Sequence, residues 1–469
     1  MTNVDSLTAE QQSPAEPLIV SVSGLRGVVG QALNAEVAAA YVLAFAETLP
    51  PGPIVIGRDG RESGPALKQA LATALTAAGR DVLDCDVAST PTVGIVVTDQ
   101  KAVGGIQISA SHNPARYNGL KLFSAAGRVL PATVGEAVKR RFESLRRTPP
   151  TADPTTPPGR VIPVDGIPCH LERVLALVDV GAIQRAAPHV WIDCGHGAGS
   201  RLARPLLEAL GCKVTMVGEP ADGQFEHEPE PTAENLADWL PRIPAAGGDI
   251  GFFQDPDADR LAIATGTGHY LGEELTLALA VDAVLAKTPG PVVTNCSTSG
   301  LAARLAQRHG VSCTLSAVGE ANVVDEMLAR QAVLGGEGNG GVIDPRVGLV
   351  RDSFVAMALV LERMAAGGSL VPLESLVAAF PSLIISKTKV ELPASWSAAD
   401  FAQAFDRIEA AFPGAGCSRL DGIRIDWPEG WLLVRASNTE PIVRIVAESE
   451  TATDANDAID RARSALLAG

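Results

Sequence analysis

Aromatic residues are scarce in this chain: Phe, Tyr and Trp together make up 4% of its 469 residues. The apolar content, 46%, is therefore mostly Ala, Val and Leu, which suits helices laid on sheets and sets α/β architecture as the starting expectation. An excess of basic charge is also missing. Lys and Arg number 38 against 54 Asp and Glu, a net charge of −16. Phosphate-backbone binding needs clustered cations, so no nucleic-acid partner is expected. Anionic substrates remain possible only where a few arginines converge. Paired cysteines are lacking too. The seven cysteines, at 85, 169, 194, 212, 296, 313 and 417, stand singly with no C-x-x-C, which reads as thiols in a reducing compartment. No uncharged apolar run approaches a membrane span, and Met1–Pro17 lacks the basic-then-apolar pattern of a signal peptide. These absences predict a soluble cytoplasmic protein with no membrane contact.

What is present is length and repetition. A chain of 469 residues exceeds one typical domain several-fold. Residues 53–85, 189–217 and 291–316 each read as a β-rich run, a Gly/Ser/polar loop, an amphipathic helix, a Gly near its end and a second β-rich run. That is a βαβ unit, which implies parallel strands, and three such units predict three similar mixed α/β domains in a row. After 382 the pattern changes to a strand at 383–391, a helix at 399–412, β-rich runs at 419–426, 430–436 and 441–449, and a last helix at 452–467. Short turns between adjacent strands make them antiparallel, so a smaller α+β domain closes the chain. The expected division is a disordered arm at 1–17, domain I at 18–150, a Pro/Thr-rich linker at 151–160, domain II at 161–265, domain III at 266–382 and domain IV at 383–469.

Four segments carry chemistry. In Ser109-Ala110-Ser111-His112-Asn113-Pro114 a serine follows a strand in a turn, where its hydroxyl can face a cleft, and Lys121 follows on the next β-rich run. A serine in such a turn more commonly caps a backbone amide. A Ser-His-Asp hydrolase is disfavoured because no G-x-S-x-G elbow exists in the chain. Asp255-Pro256-Asp257-Ala258-Asp259-Arg260 places three carboxylates at alternate positions on a tight loop, a pattern that can wrap a hard cation in oxygen. Arg260 and Gly266 occupy the places where a calcium loop needs Gly and Glu, so the EF-hand is excluded. Arg435, Ser437, Asn438, Thr439 and Arg444 lie between and on two β-rich runs and make a cup for a phosphate dianion. Two further Gly-rich basic loops, around Arg26 and around Arg58 and Arg61, share that style. Gly335-Gly336-Glu337-Gly338-Asn339-Gly340-Gly341 contains a G-x-G-x-x-G, but Val342-Ile343-Asp344-Pro345 opens no helix after it. A dinucleotide fingerprint is excluded on that ground, leaving a polar contact loop for hydroxyls.

Together these motifs resemble the α-D-phosphohexomutase family, from about Leu18 onward. SASHNP is similar to its phosphoserine loop, DPDADR to its magnesium loop, GGEGNGG to its sugar loop and RASNTEPIVR to its phosphate loop; SGLRG, GRDGR, DCGHGAG and DGQFEHEPEPTAENL sit in order with them. The resemblance implies four domains around a central cleft and a phosphoryl transfer between the 6- and 1-positions of a hexose phosphate. It implies that Ser111 carries the phosphoryl group, and that Ser111, Asp255, Asp257 and Asp259 hold one Mg²⁺ per chain. Arg26 and Lys121 would assist proton transfer, and Arg260 would steady charge near the metal. Glu337 and Asn339 would grip sugar hydroxyls, while Arg435, Ser437, Asn438, Thr439 and Arg444 would hold the phosphate not being transferred. Hexose 1,6-bisphosphate would act as activator, and the protein would be a monomer or homodimer. Two departures bear on the substrate. Several relatives have His where this chain has Gly341, and some that use glucose or mannose phosphates have His where it has Glu320. Both changes favour glucosamine phosphate as the substrate, with phosphomannomutase/phosphoglucomutase specificity as the alternative. The competing chemistry is an aspartate-based phosphatase using Asp255 and Asp257, whose motif ends in Thr or Val rather than Asp-Arg. A non-catalytic sugar-phosphate binder is the other alternative.

Overall fold

A computed structural model describes residues 16–148, 155–393, 396–436 and 442–468. Most of the expected arm, the Pro/Thr-rich stretch 149–154 and the cup residues Ser437, Asn438 and Thr439 lie outside the described residues.

The three repeats form βαβ units with parallel strands. Ile54–Arg58 pairs with Val82–Val87, His189–Asp193 with Lys213–Val217, and Val292–Asn295 with Cys313–Ser316. In each sheet the first of these strands takes a further parallel neighbour on its other side: Gly104–Ile108, Ile250–Gln254 and Leu334–Glu337. Each of those strands then turns back into an antiparallel partner: Tyr117–Ser124, Leu261–Thr265 and Gly341–Ile343. The same four-strand order thus occurs three times, inside sheets of seven, five and four strands. The three turn-backs hold the serine loop, the acidic loop and the glycine-rich loop. All three lie beyond the carboxyl ends of parallel strands, where open α/β sheets bind ligands.

Two helices sit between the second and third sheets. Glu273–Leu285 and Ser353–Met364 are apolar nearly all round, and their side chains are buried, as expected of helices without a polar face. Asp352 caps the second, its Oδ1 accepting from the N–H groups of Phe354 at 2.8 Å and Val355 at 3.3 Å. The C-terminal sheet orders Ile384–Glu391, Ile442–Ser449, Gly430–Ala436, Ile423–Trp427 and Gly416–Ser418, all antiparallel, against helices Ala398–Ala411 and Ala452–Leu467.

Three details differ from the sequence expectation. Val161–Pro163 adds to the edge of the first sheet, pairing with Val82–Val87, so the chain stays with that sheet past the expected linker. Tyr270–Gly272 likewise pairs back onto the second sheet beyond 265. The run expected at 419–426 begins as a strand only at Ile423, because Asp421-Gly422 forms a turn with Gly422 at φ +81°.

Candidate active site

The serine loop is shaped by a buried arginine. Arg61, only 1% exposed, spends its guanidinium on backbone oxygens: Nη2 donates to Ser111 O and Asn113 O, each at 2.6 Å, and Nη1 to Pro114 O at 2.8 Å and Tyr117 O at 3.0 Å. Its Nε donates to Asp59 Oδ2 at 3.1 Å, the oxygen that also accepts from Ser109 Oγ at 2.6 Å. The ring of Phe225, from the second sheet's loops, lies 5.0 Å from the guanidinium carbon. The motif GRDGR therefore supplies a clamp for the loop. Amide capping, the commoner role of a turn serine, falls to Ser109, whose Oγ accepts from Ser111 N–H at 2.8 Å. Ser111 itself is held at φ +51°, a conformation that non-glycine residues adopt at some cost and keep only where surroundings enforce it. Its hydroxyl donates to Asp255 Oδ2 at 2.5 Å.

Asp255, Asp257 and Asp259 are all inaccessible to solvent. One oxygen of each lies within 4.8 Å of the others. Among the described residues, Asp257 Oδ1 and Asp259 Oδ1 are buried without a hydrogen-bond partner, which is the donor set a hard, oxygen-seeking cation such as Mg²⁺ completes. Lys121 Nζ donates to Asp259 Oδ2 at 2.8 Å and also to Asp257 Oδ2. Arg260 N–H donates to Asp255 Oδ1 at 3.2 Å, and its Nε lies 3.8 Å from Asp259 Oδ1. Arg26 Nη1 donates to Asn113 Oδ1 at 2.5 Å, on the serine loop.

The titration of these groups follows from burial and crowding. Burial, reinforced by Asp257 and Asp259, drives the Asp255 carboxyl well above its usual range. Burial pushes the same way at Asp259, but Arg351, Lys121 and Arg260 overrule it and hold that carboxylate low. Burial opposes the charge on Lys121, yet Asp257 and Asp259 keep it a firm ammonium. Burial, with Arg260 and Arg26 close by, takes the His112 imidazole down to about 2. His112 is thus neutral beside Ser111, its Nδ1 3.4 Å from the hydroxyl.

Glu337 ends its strand facing the acidic loop. Its Oε1 accepts from Asn295 Nδ2 at 2.7 Å and Gly319 N–H at 3.1 Å, and its Oε2 from Arg351 Nη1 at 2.7 Å. Asn339 Oδ1 accepts from Gly341 N–H at 3.3 Å. Arg435 and Arg444 face each other across paired strands. Directly opposed like charges destabilise a sheet, so an anion between them relieves a repulsion. Arg435 Nε also donates to Asp421 Oδ1 at 2.8 Å, while Asp421 Oδ2 accepts from Val318 N–H at 3.0 Å. The sequence-derived residues that fall within the described stretches are thus gathered at three successive sheets and at the arginine-bearing strands of the fourth.

Arg351 escaped the sequence reading, as did a buried chain linking three sheets: Ser89 Oγ to Thr92 Oγ1 at 2.6 Å, Thr92 Oγ1 to His170 Nδ1 at 2.9 Å, and His170 Nε2 to Asp352 Oδ2 at 2.7 Å. At its first end, Thr90 N–H donates to Asp257 O at 2.9 Å. No local motif marks such residues, because the contacts that give them meaning, Thr92 to His170, His170 to Asp352 and Arg351 to Asp259, cross from one unit to another.

Glu274 lies beneath the glycine-rich loop. A Cβ on Gly338 would meet its carboxylate at 2.2 Å, and its Oε2 accepts from Ser299 N–H at 2.9 Å. Burial pushes this carboxyl up to about 8 from 4.5. The folded state therefore binds a proton that the unfolded chain releases, and stability is lost as pH rises from 4.5 toward 8. Glu274→Gln is expected to match the parent at pH 4.5 and to exceed it at pH 8.5 by on the order of 4–5 kcal/mol, read from denaturant melts at both pH values.

A loop serine donating to a buried cluster of three carboxylates, with Lys121 and Arg260 beside them, is the equipment of an enzyme that moves phosphoryl groups. Comparisons with known proteins assign it further. Four family models match in order: phosphoglucomutase/phosphomannomutase alpha/beta/alpha domain I over 18–148, domain II over 168–268, domain III over 272–383, and the C-terminal domain over 388–465. The chain is 34% identical to a phosphoglucomutase/phosphomannomutase of Thermococcus kodakarensis, over 93% of this chain and 96% of that protein. It is 31% identical to a probable phosphoglucosamine mutase of Methanopyrus kandleri, over 93% and 95%. A crystal structure of a phosphoglucomutase/phosphomannomutase family protein from Burkholderia thailandensis superposes with a TM-score of 0.81 at 27% identity, covering 96% of this chain and 98% of the other. The chain belongs to the phosphoglucomutase/phosphomannomutase family and is a phosphohexomutase, an isomerase. No helix among the described residues is long and apolar enough to cross a membrane.

Proposed function

We propose that the protein transfers a phosphoryl group between the 6- and 1-positions of a hexose phosphate through a phosphoserine at Ser111 and a bisphosphorylated sugar, converting glucosamine 6-phosphate to glucosamine 1-phosphate. The observation that carries this reading is the Ser111 hydroxyl donating to Asp255 at 2.5 Å, at the rim of a three-carboxylate pocket. A phosphoryl group on Ser111 Oγ sits beside that pocket. Asp255, Asp257 and Asp259 would hold one Mg²⁺ there, which when bound cancels charge on the transferring oxygens. In the first half-reaction the P–Oγ bond breaks as a sugar hydroxyl oxygen bonds to phosphorus, and the proton lost by that hydroxyl is passed on to Ser111 Oγ, restoring the serine hydroxyl. Lys121, a firm ammonium between Asp257 and Asp259, would assist that proton transfer, as would Arg26, which donates to Asn113 of the serine loop. In the second half-reaction the other phosphate of the turned intermediate is returned to Ser111. Arg435 and Arg444, paired across their strands, accept whichever phosphate is not reacting, which is what allows the two ends to exchange. Hexose 1,6-bisphosphate would load Ser111 initially. Gly341, where several relatives have His, and Glu320, where some glucose- or mannose-using relatives have His, favour the glucosamine substrate.

The test is ³¹P NMR with Mg²⁺ and a trace of hexose 1,6-bisphosphate, offering glucosamine 6-phosphate, glucose 1-phosphate and mannose 1-phosphate separately. Fastest interconversion of the glucosamine phosphate, lost in Ser111→Ala, is the expected result. Preference for glucose or mannose phosphate overturns the substrate; phosphate release that persists in Ser111→Ala overturns the mechanism.

A further inference from the structure

Arg351 reaches the glycine-rich loop and the acidic loop at once. Nη1 donates to Glu337 Oε2 at 2.7 Å and Nη2 to Asp259 Oδ2 at 2.6 Å. Its backbone N–H donates to Glu320 Oε1 at 3.0 Å, and Oε2 of the same carboxylate lies 3.3 Å from its Nε. All four side chains are buried.

Both departures noted in the sequence meet at this arginine. A Cβ on Gly341 would lie 2.2 Å from Arg351 Cδ and 2.8 Å from Cγ, so the arginine stem runs where any larger residue at 341 would begin its side chain. Glu320 supplies counter-charge from the start of the helix Glu320–Arg330. A buried guanidinium is tolerated only with such partners. Gly341, Glu320 and Arg351 are therefore one device assembled from three separated stretches.

What the device does follows from the acceptor it restrains. Glu337 takes three donors, from Asn295, Gly319 and Arg351, out of about four acceptor sites on a carboxylate. The direction left open is set by the other three. An acceptor aimed in one direction rewards a substrate hydroxyl at one place and penalises its absence; an acceptor free to swing does neither well.

We propose that Arg351 is a positioning residue that aims Glu337 at the hexose and ties the sugar loop to the acidic loop, so that discrimination among hexose phosphates at the hydroxyl Glu337 meets depends on it. The inference rests on the hexose-phosphate reading above and assigns specificity within it to a residue that touches no substrate.

The experiment is binding calorimetry in a Ser111→Ala background, where transfer is off. The ligands are glucosamine 6-phosphate, glucose 6-phosphate and the 3-deoxy and 4-deoxy forms of glucose 6-phosphate. The proteins are the parent and its Arg351→Met, Arg351→Lys and Gly341→Ala variants. Gly341→Ala keeps every charge and displaces the arginine stem, so it reports even if Arg351→Met fails to fold. The parent is expected to bind one deoxy form roughly 10- to 100-fold more weakly than its hydroxylated counterpart, the span of one hydrogen bond to a charged group. In Arg351→Met and Gly341→Ala that ratio is expected to shrink to about threefold or less, with Arg351→Lys, which keeps the charge but not the fork, in between. Uniformly weaker binding with an unchanged ratio would mean a purely structural arginine and would overturn the inference. So would a parent that binds hexose phosphates without discriminating. A parent that binds none of them overturns the hexose-phosphate reading itself.

Discussion

Asp257→Asn is expected to lower kcat/KM by roughly a thousandfold or more, about 4 kcal/mol of transition-state stabilisation, while leaving the fold intact. Asp257 Oδ2 already accepts from Lys121 and from Thr90 Oγ1. Its Oδ1 is buried without a partner among the described residues, and that is the atom left to a cation. An amide there presents either a neutral oxygen or an N–H to the pocket, and removes one charge of three. The same change relieves the repulsion that raises the Asp255 carboxyl, so the metal-free variant should melt no lower than the parent. Thermal melts across a Mg²⁺ titration separate the two effects: the parent's transition climbs with Mg²⁺ by mass action, and the variant's stays flat. A variant that keeps a tenth of the activity would remove Asp257 from the cation pocket.

Arg61→Met carries the second large effect. The substitution strips donors from four backbone carbonyls, those of Ser111, Asn113, Pro114 and Tyr117. It also leaves Asp59 buried without its charge partner, a loss of about 3–5 kcal/mol for a broken buried pair. Ser111 sits at φ +51° because this clamp holds it there; released, the loop relaxes toward ordinary backbone angles and the hydroxyl leaves Asp255. Phosphorylation of Ser111 by hexose 1,6-bisphosphate, followed by intact-protein mass spectrometry, is expected to slow roughly a hundredfold or more. Arg61→Lys should not rescue it, since an ammonium has three donors and no planar fork. Normal phosphorylation of the lysine variant would show that the clamp is dispensable.

These two residues mark the boundary of what was legible in the chain beforehand. Asp257 announces itself: three carboxylates at alternate positions repel unless something cationic joins them. The βαβ repeats were equally plain, because apolar runs and glycine-punctuated helices are local signals, and the structure extends each to the same four-strand order. Arg61 was visible only as one member of a basic, glycine-rich loop that by itself read as an ordinary turn. Its partners are carbonyls some 50 residues away, and carbonyls carry no side-chain signature. Arg351 sits among ordinary residues, and its meaning depends on Glu320, Glu337 and Asp259, which converge only after the second and third sheets pack. The short edge strands at 161–163 and 270–272 were missed for a related reason. Three residues have too little pattern of their own, and they are strands because a finished sheet offers them an edge.

The hydrogen bond from Ser111 to Asp255 also has a meaning in time. Its two ends are 144 residues apart, and a ribosome adding 5–20 residues per second delivers the second roughly 7–29 s after the first. Through that interval the residues of the serine loop's clamp are already synthesised, since Asp59, Arg61 and Ser109 all precede Ser111 on the chain. The hydroxyl, however, has no acidic partner. A nascent chain halted before residue 255 would therefore present a serine without its carboxylate partner, and under the proposed mechanism phosphorylation of Ser111 would have to wait for the second sheet.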